Sequence, residues 1–192
     1  MSAATSARSD ELEVKARVED PDRLRAALAR AGAALEFQGD MLDRRFDRDG
    51  GLATRDEVLR LRMFRPADGT PAYGVLGWKG PQARHPRYRR RAEAETRVAD
   101  PEATVTILER LGFAASLRID RRVEIYRLRH AVLRLEWYPA MDVLLEVEGD
   151  PDDIERAIAA TGLARDRFLA ESLPYFVAAY ERRTGQAAVL AR

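Results

Sequence analysis

The feature that most constrains this chain is a regular alternation of charged and apolar residues that returns in segment after segment. Residues 11–18 place glutamate, lysine and arginine at every second position, with leucine, valine and alanine between them. Similar alternation recurs in residues 57–63, 89–98, 132–137 and 142–148. Because successive side chains of a β-strand point to opposite faces of a sheet, each segment predicts a strand with one ionisable and one apolar face. Such a chain is expected to form mainly an antiparallel sheet.

Capping and turn residues place helices between groups of these strands. The expected helices lie near residues 21–31, 101–111, 151–161 and 173–184. The expected strands lie near residues 10–18, 35–47, 57–65, 72–80, 88–98, 114–120, 122–129, 131–137 and 142–148. The pattern therefore predicts an α+β protein whose eight or nine mostly antiparallel strands form a closed or nearly closed sheet.

Two parts of the chain form an internal repeat. Residues 13–32 and 93–112 align without a gap, and each reads as a strand, an Asp-Pro helix start and a helix that ends at glycine. An Asp-Pro helix start is common and recurs at Asp150-Pro151. The matching positions are Glu13, Arg17, Val18, Asp20, Pro21, Leu28, Arg30 and Gly32 with Glu93, Arg97, Val98, Asp100, Pro101, Leu108, Arg110 and Gly112. These identities exceed what capping requires, so we predict a pseudo-two-fold repeat.

The composition excludes several classes of function. The 33 basic and 32 acidic residues leave a net charge of +1, which argues against a nucleic-acid partner bound by bulk electrostatics. The chain has no cysteine, which excludes disulfides, thiol catalysis and thiolate metal sites. With two histidines, a histidine-rich zinc site is not expected either.

The length of 192 residues predicts one domain, which we place at residues 9–184 between disordered tails at 1–8 and 185–192. No run of 18 apolar residues occurs, so no membrane partner is expected. The first nine residues lack the apolar core of a secretory signal, and a cytoplasmic location is expected. The oligomeric state, including a homodimer, is left open.

The ionisable strand faces have two interpretations. They are either the solvated face of an ordinary sheet or, in a sheet that curls on itself, the lining of a tunnel. In a tunnel, arginine and lysine would bind phosphate oxygens and carboxylates would bind Mg²⁺ or Mn²⁺. The only two lysines, Lys15 and Lys79, both lie at strand positions where such a site would use them.

The segment Glu11-x-Glu13-x-Lys15 resembles the ExExK signature of the CYTH family, the triphosphate tunnel metalloenzymes. That family includes class IV adenylyl cyclases, thiamine triphosphatases and inorganic tripolyphosphatases. The resemblance covers roughly residues 10–180. Its further elements follow in family order: Gln38-x-Asp40, Asp43-x-x-Phe46-Asp47, Leu59-Arg60-Leu61-Arg62, Trp78-Lys79-Gly80-Pro81, Arg91-x-Glu93-x-Glu95, Leu111-Gly112-Phe113, Arg121-Arg122, Leu133-x-Leu135-Glu136 and Leu145-Glu146-Val147-Glu148-Gly149.

The resemblance implies a closed eight-stranded antiparallel β-barrel with a charged through-tunnel, a small-molecule triphosphate as substrate, and Mg²⁺ or Mn²⁺ as cofactor. Lys15, Glu13 and Arg62 would be the catalytic residues. The implied phosphate ligands are Lys15, Arg60, Arg62, Lys79 and Arg91, with one or both of Arg121 and Arg122. The implied metal ligands are Glu11, Glu13, Glu93, Glu95, Glu136, Glu146 and Glu148. Two positions depart from the family: Arg45 stands where many members have an aromatic residue, and Asp120 where a lysine is common.

The chemistry at such a site has alternatives. Attack by water would hydrolyse an inorganic triphosphate or thiamine triphosphate. Attack by the ribose 3′-hydroxyl of ATP would give cyclic AMP and pyrophosphate. We favour hydrolysis, because water is always available whereas cyclisation also needs a base pocket that the sequence does not reveal. A non-catalytic module that binds polyphosphate or nucleotide is a third alternative, against which the acidic residues argue.

Overall fold

The computed structural model describes the backbone of residues 9–192 and the side chains of residues 12–192. The eight strands are β1 (Ser9–Val18), β2 (Ala34–Asp47), β3 (Val58–Pro66), β4 (Tyr73–Ala83), β5 (Arg89–Val98), β6 (Ala114–Leu128), β7 (Ala131–Trp137) and β8 (Val143–Glu148). The four α-helices are α1 (Pro21–Arg30), α2 (Pro101–Arg110), α3 (Pro151–Thr161) and α4 (Leu173–Thr184). None of the helices in this described part is long and apolar enough to cross a membrane.

The strands close into a barrel in the order β1-β5-β4-β3-β2-β6-β7-β8, and every neighbouring pair is antiparallel. If β1, β2, β3 and β4 are exchanged with β5, β6, β7 and β8 respectively, every strand keeps the same pair of neighbours around the barrel. The unit β1-α1-β2-β3-β4 is therefore repeated as β5-α2-β6-β7-β8. The α+β class, the closed barrel and the pseudo-two-fold repeat are confirmed.

The repeated helices begin and end as their sequences predict. The carboxylates of Asp20 and Asp100 accept hydrogen bonds from the backbone N–H groups of Arg23 and Ala103, at 2.9 and 2.8 Å. In both repeats proline occupies the first turn, where its missing N–H costs nothing. Both helices are followed by a glycine with positive φ, at 77° and 85°, which turns the chain into the next strand.

The apolar strand faces lie outside the barrel, under helices. Val14 and Ala16 of β1, with leucines and valines of β7 and β8, pack in one core with residues of α1 and α3. Burying a side chain such as Leu28 or Ile154 in this core contributes about 1.5–3 kcal/mol. Because alternate side chains point the opposite way, this outer core turns the ionisable faces of the same strands into the barrel.

The inner face is not charged throughout. Phe37, Met41, Phe64 and Val123 form an apolar cluster on the inner positions of β2, β3 and β6, and Tyr73 of β4 packs against it. The rings of Phe64 and Tyr73 stack with centroids 5.0 Å apart. The charged part of the lining therefore begins beyond this cluster.

Two details of the chain path correct the sequence predictions. The segments 114–120 and 122–129 are one strand, β6, because β2 pairs with it along almost its whole length. The expectation of a disordered tail at 185–192 is wrong, since the backbone of Asp120 donates a hydrogen bond to Leu190 at 2.7 Å and Val189 pairs with Ala140. The tail predicted at 1–8 lies outside the described residues.

Candidate functional site

The inner strand positions surround a charged cavity of about 410 Å³. Its wall is built by alternation, because every second residue of a strand points into the barrel. The ionisable side chains that line it from the strands are Glu13, Lys15, Asp43, Arg45, Asp47, Arg60, Lys79, Arg89, Arg91, Arg121, Arg134 and Glu146. All of these are buried or half-buried, so the tunnel interpretation holds and the solvated-sheet interpretation does not.

One wall of the barrel gathers three carboxylates. The pairing of β1 with β8 sets Glu13 opposite Glu148 and Lys15 opposite Glu146. Carboxylate oxygens of Glu13, Glu146 and Glu148 lie within 4.8 Å of one another. The Lys15 ammonium lies among them, 3.0 Å from Glu13 and in contact with Glu146.

The charges on this wall stabilise one another. Burial disfavours the Lys15 ammonium, but the carboxylates of Glu13 and Glu146 outweigh it and raise the pKa of Lys15 above its usual value. Burial likewise disfavours the Glu146 carboxylate, but Lys15 and Arg134 outweigh it and hold the pKa of Glu146 well below its usual value. Arg134 also lies 3.3 Å from Glu148. Lys15 and Glu146 are therefore both ionised at neutral pH.

A second group joins β3, β4 and β5. The Arg60 guanidinium lies 3.0 Å from Glu93 and 3.2 Å from Glu95, and Arg62 contacts Glu95. The Lys79 ammonium lies 3.5 Å from Glu93. Burial opposes ionisation of Glu95, but Arg62 and then Arg60 outweigh it and lower the pKa of Glu95 to about 2. These carboxylates hold the cations of this wall in place.

A third group crosses from β2 to the end of β7. Arg121 donates to Asp43 at 3.0 Å and to the Tyr138 hydroxyl at 3.2 Å, and the Tyr138 hydroxyl donates to Glu136 at 2.5 Å. Burial, and then Glu136, raise the pKa of Tyr138 well above its usual value, so the hydroxyl keeps its proton. The Oδ1 atom of Asp43 and the Oε1 atom of Glu136 are buried and accept no hydrogen bond, although Glu136 Oε1 lies 3.3 Å from the Arg121 guanidinium. Such carboxylate oxygens are available to a further donor or a cation.

Arg91 holds a loop at the edge of the cavity. Its guanidinium donates to the backbone oxygens of Gly80 and Asp56, at 2.6 and 2.7 Å, and to the Asp56 carboxylate at 2.6 Å. Asp56 lies in the connection between β2 and β3 and has a positive φ of 52°. Arg91 thus lines the cavity and also fixes this connection.

The structure sorts the residues that the sequence predicted. Lys15, Arg60, Lys79, Arg91 and Arg121 line the cavity, and Arg62 lies on the same inner face of β3. The sequence left open whether one or both of Arg121 and Arg122 face the tunnel. Arg122 does not, which removes it from the implied phosphate ligands: its side chain is 56% exposed and lies over the outer Trp137 ring. The alternation of β6 permits only one of the two arginines to point inward.

The predicted metal ligands form three separate sets. Only Glu13, Glu146 and Glu148 come together as a possible oxygen cage among the described side chains. Glu93 and Glu95 pair with basic residues of β3 and β4, and Glu136 pairs with the residues around Arg121. The side chain of Glu11 lies outside the described part.

Sequence reasoning missed Asp43, Arg45, Arg89, Arg134 and Tyr138 as cavity residues. Arg89 and Arg134 were detectable, because each shares an alternating face with predicted site residues. Asp43 and Arg45 lie in a segment that resembles the family, but alternation did not identify them, because β2 carries charged residues at both odd and even positions and the pattern does not say which face is inside. Tyr138 follows the last residue of β7, where alternation gives no signal.

Comparison with known proteins agrees with this geometry. A protein of Methanocaldococcus jannaschii described as a putative adenylate cyclase is 27% identical over 147 residues, covering 75% of this chain and 79% of the relative. The structure of a putative adenylate cyclase from Vibrio parahaemolyticus superposes with a TM-score of 0.74 at 18% identity, covering 90% of this chain and 99% of that one.

A third similar protein, with a lower TM-score, has an activity stated in its description. A putative adenylyl cyclase from Hippeastrum, whose description states a dominant triphosphatase activity, matches with a TM-score of 0.61 at 17% identity, covering 92% of this chain and 96% of that one. At such identities the structures establish the fold alone. The CYTH domain model matches residues 9–171, most of the chain. On that match and on the closed barrel with its charged interior, this chain belongs to the CYTH domain family.

Proposed function

We propose that this protein is a metal-dependent hydrolase of a triphosphate bound inside the barrel. The observation that carries the proposal is the group of Glu13, Glu146 and Glu148 around Lys15, in a cavity whose other walls carry arginines. A triphosphate carries about four negative charges at neutral pH, and phosphoryl transfer asks a protein mainly for positioning and charge neutralisation. A cavity rich in cations with one cluster of carboxylates supplies both.

The basic residues would bind the phosphate oxygens directly. Lys15, Arg60, Lys79 and Arg121 are buried in the cavity wall and already held in place by carboxylates. Because their positions are fixed before substrate arrives, little side-chain entropy is lost on binding. Guanidinium groups bind phosphate bidentately, and an ammonium binds it as a compact charge.

The carboxylates fit Mg²⁺ or Mn²⁺. Both ions prefer oxygen ligands, and the oxygens of Glu13, Glu146 and Glu148 lie close enough to share one ion. A bound ion would neutralise phosphate charge and activate the attacking water. Lys15 would then move its contacts from these carboxylates to the phosphate, because the ion would take its place beside them.

Cyclisation of ATP is the second candidate, and the relatives described as putative adenylate cyclases favour it. Cyclisation needs a site that binds the adenine base of ATP. The strand residues that line the cavity are mostly ionisable, which suits a phosphate chain better than a purine. We therefore propose hydrolysis first.

One experiment separates the candidates. The purified protein is incubated with Mg²⁺ or Mn²⁺ and given tripolyphosphate, thiamine triphosphate or ATP in parallel. Release of phosphate supports hydrolysis, and release of pyrophosphate with cyclic AMP from ATP supports the cyclase. Binding of these compounds without any product would support the non-catalytic module and contradict both enzymes.

A further inference from the structure

One basic residue of the cavity differs from all the others that line it. Seven of the eight basic side chains in the described lining form an ion pair with a carboxylate: Lys15, Arg60, Lys79, Arg89, Arg91, Arg121 and Arg134. The eighth, Arg45, makes no ion pair or hydrogen bond through its guanidinium to any described residue, and its Nε atom is buried without a partner. Arg45 is therefore a cation of this lining that no carboxylate contacts directly.

The surroundings of Arg45 make its charge unfavourable for the stability of the unliganded protein. Its inner neighbour across the β2–β3 pairing is Arg60. Burial lowers the pKa of Arg45, and the Arg60 and Arg121 guanidiniums lower it further, although the Asp43 carboxylate opposes them. Leaving a half-buried cation without an ion pair costs stability. A bound anion would remove that cost.

The position of Arg45 indicates which part of a substrate it would meet. On β6, the neighbours of Arg45 are Leu117, its partner in the pairing, and Ser116, whose hydroxyl donates to the Arg45 carbonyl at 3.3 Å. Both neighbours are exposed and line the cavity, so Arg45 lies toward its mouth. The organic group of a triphosphate ester would also have to lie toward the mouth, because the deeper wall is charged.

We propose that Arg45 is a specificity-determining residue that binds a terminal phosphate group near the mouth of the cavity. The inference rests on the proposed triphosphate site. It favours inorganic tripolyphosphate over triphosphate esters as the substrate of that site. An unpaired guanidinium at this place favours a chain that ends in a charged phosphate, as inorganic tripolyphosphate does at both ends. An ester such as ATP or thiamine triphosphate ends there in its organic group and gains less from Arg45.

The test uses Arg45→Gln, which removes the charge and keeps a polar side chain. Arg118→Gln is the matched control, because Arg118 is an exposed arginine on the outer face of β6. Binding of tripolyphosphate and of ATP is measured by calorimetry in EDTA, so that no turnover occurs, and hydrolysis is measured separately with Mg²⁺. Arg45→Lys serves as the conservative variant.

We expect Arg45→Gln to weaken tripolyphosphate binding at least tenfold and ATP binding less than threefold. Arg118→Gln should change neither, and Arg45→Lys should recover part of the loss. Arg45→Gln should also raise the melting temperature of the unliganded protein, by about 2 °C, because a half-buried charge without an ion pair is removed. A purely structural arginine would lower it.

Unchanged tripolyphosphate affinity in Arg45→Gln would overturn the inference, and so would an equal loss for tripolyphosphate and ATP. In either case a wild-type protein that hydrolyses triphosphates still supports the proposed function. A wild-type protein that neither binds nor hydrolyses any triphosphate would overturn both.

Discussion

Glu146→Gln tests the ion network of the carboxylate wall most directly. Glu146 is buried between the Lys15 ammonium and the Arg134 guanidinium, and the substitution removes its charge with almost no change in shape. Removing one member of a buried ion pair costs about 3–5 kcal/mol when the partner is left alone. Here Lys15 keeps Glu13 at 3.0 Å and Arg134 keeps Glu148 at 3.3 Å. We therefore expect a smaller loss, of about 2 kcal/mol.

The assay is urea unfolding at several pH values, with the melting temperature as a second measure. A loss of this size in a chain of this length corresponds to about 4–8 °C. The folded-state pKa of Glu146 is lowered, so its contribution to stability is complete above its usual pKa of about 4.5. That contribution is lost as pH falls through the lowered value. The difference between wild type and variant should thus be largest at neutral pH and shrink below about pH 4.5.

The matched control is Glu36→Gln, which breaks an exposed ion pair with Arg127. Exposed pairs contribute about 0–1 kcal/mol, so this variant should unfold like the wild type. If Glu146→Gln is as stable as the control at neutral pH, or if its deficit does not change with pH, the reasoning about the buried network is refuted.

Three further predictions concern activity and packing. Lys79→Arg should lower kcat/KM at least tenfold, about 1.4 kcal/mol, with the melting temperature nearly unchanged, because the wider guanidinium would have to share the space beside Glu93 with Arg60, which lies 3.0 Å from that carboxylate; steady-state kinetics equal to wild type would contradict this. EDTA should abolish turnover and Glu13→Gln should reduce it severely while circular dichroism shows an intact fold, and full turnover in either case would exclude the metal assignment. Gly39→Ala should destabilise the protein by about 2 kcal/mol in urea unfolding, because the new Cβ would lie 2.1 Å from the Arg65 carbonyl oxygen, and wild-type stability would show that the strand yields there without cost.

Local pattern predicted the secondary structure well. Alternation identified the strands, because a strand with one buried face must repeat every second residue, and Asp-Pro marked the starts of α1, α2 and α3. The ionisable faces of β1, β5, β7 and β8 were also readable as single faces. The repeat predicted that the two halves would have the same order of elements.

The tertiary structure decided which residues meet. The contact of Glu13 with Glu146 and Glu148 depends on the pairing register of β1 with β8, and a shift of one residue would turn every side chain to the other face. Arg121 and Arg122 are equivalent in sequence, and only the register of β6 places Arg121 inside.

The same limit applies to the end of the chain and to Arg45. Residues 186–192 have no strong local pattern, and they are ordered by contacts with Asp120 and Ala140, far away in sequence. The sequence marks Arg45 as a departure from the family, but only the closed barrel shows that no carboxylate contacts it directly. The sequence by itself determined the strands and the charges that they carry. Only the closed barrel decided which of those charges are paired, because ion pairs between strands depend on register rather than on local sequence.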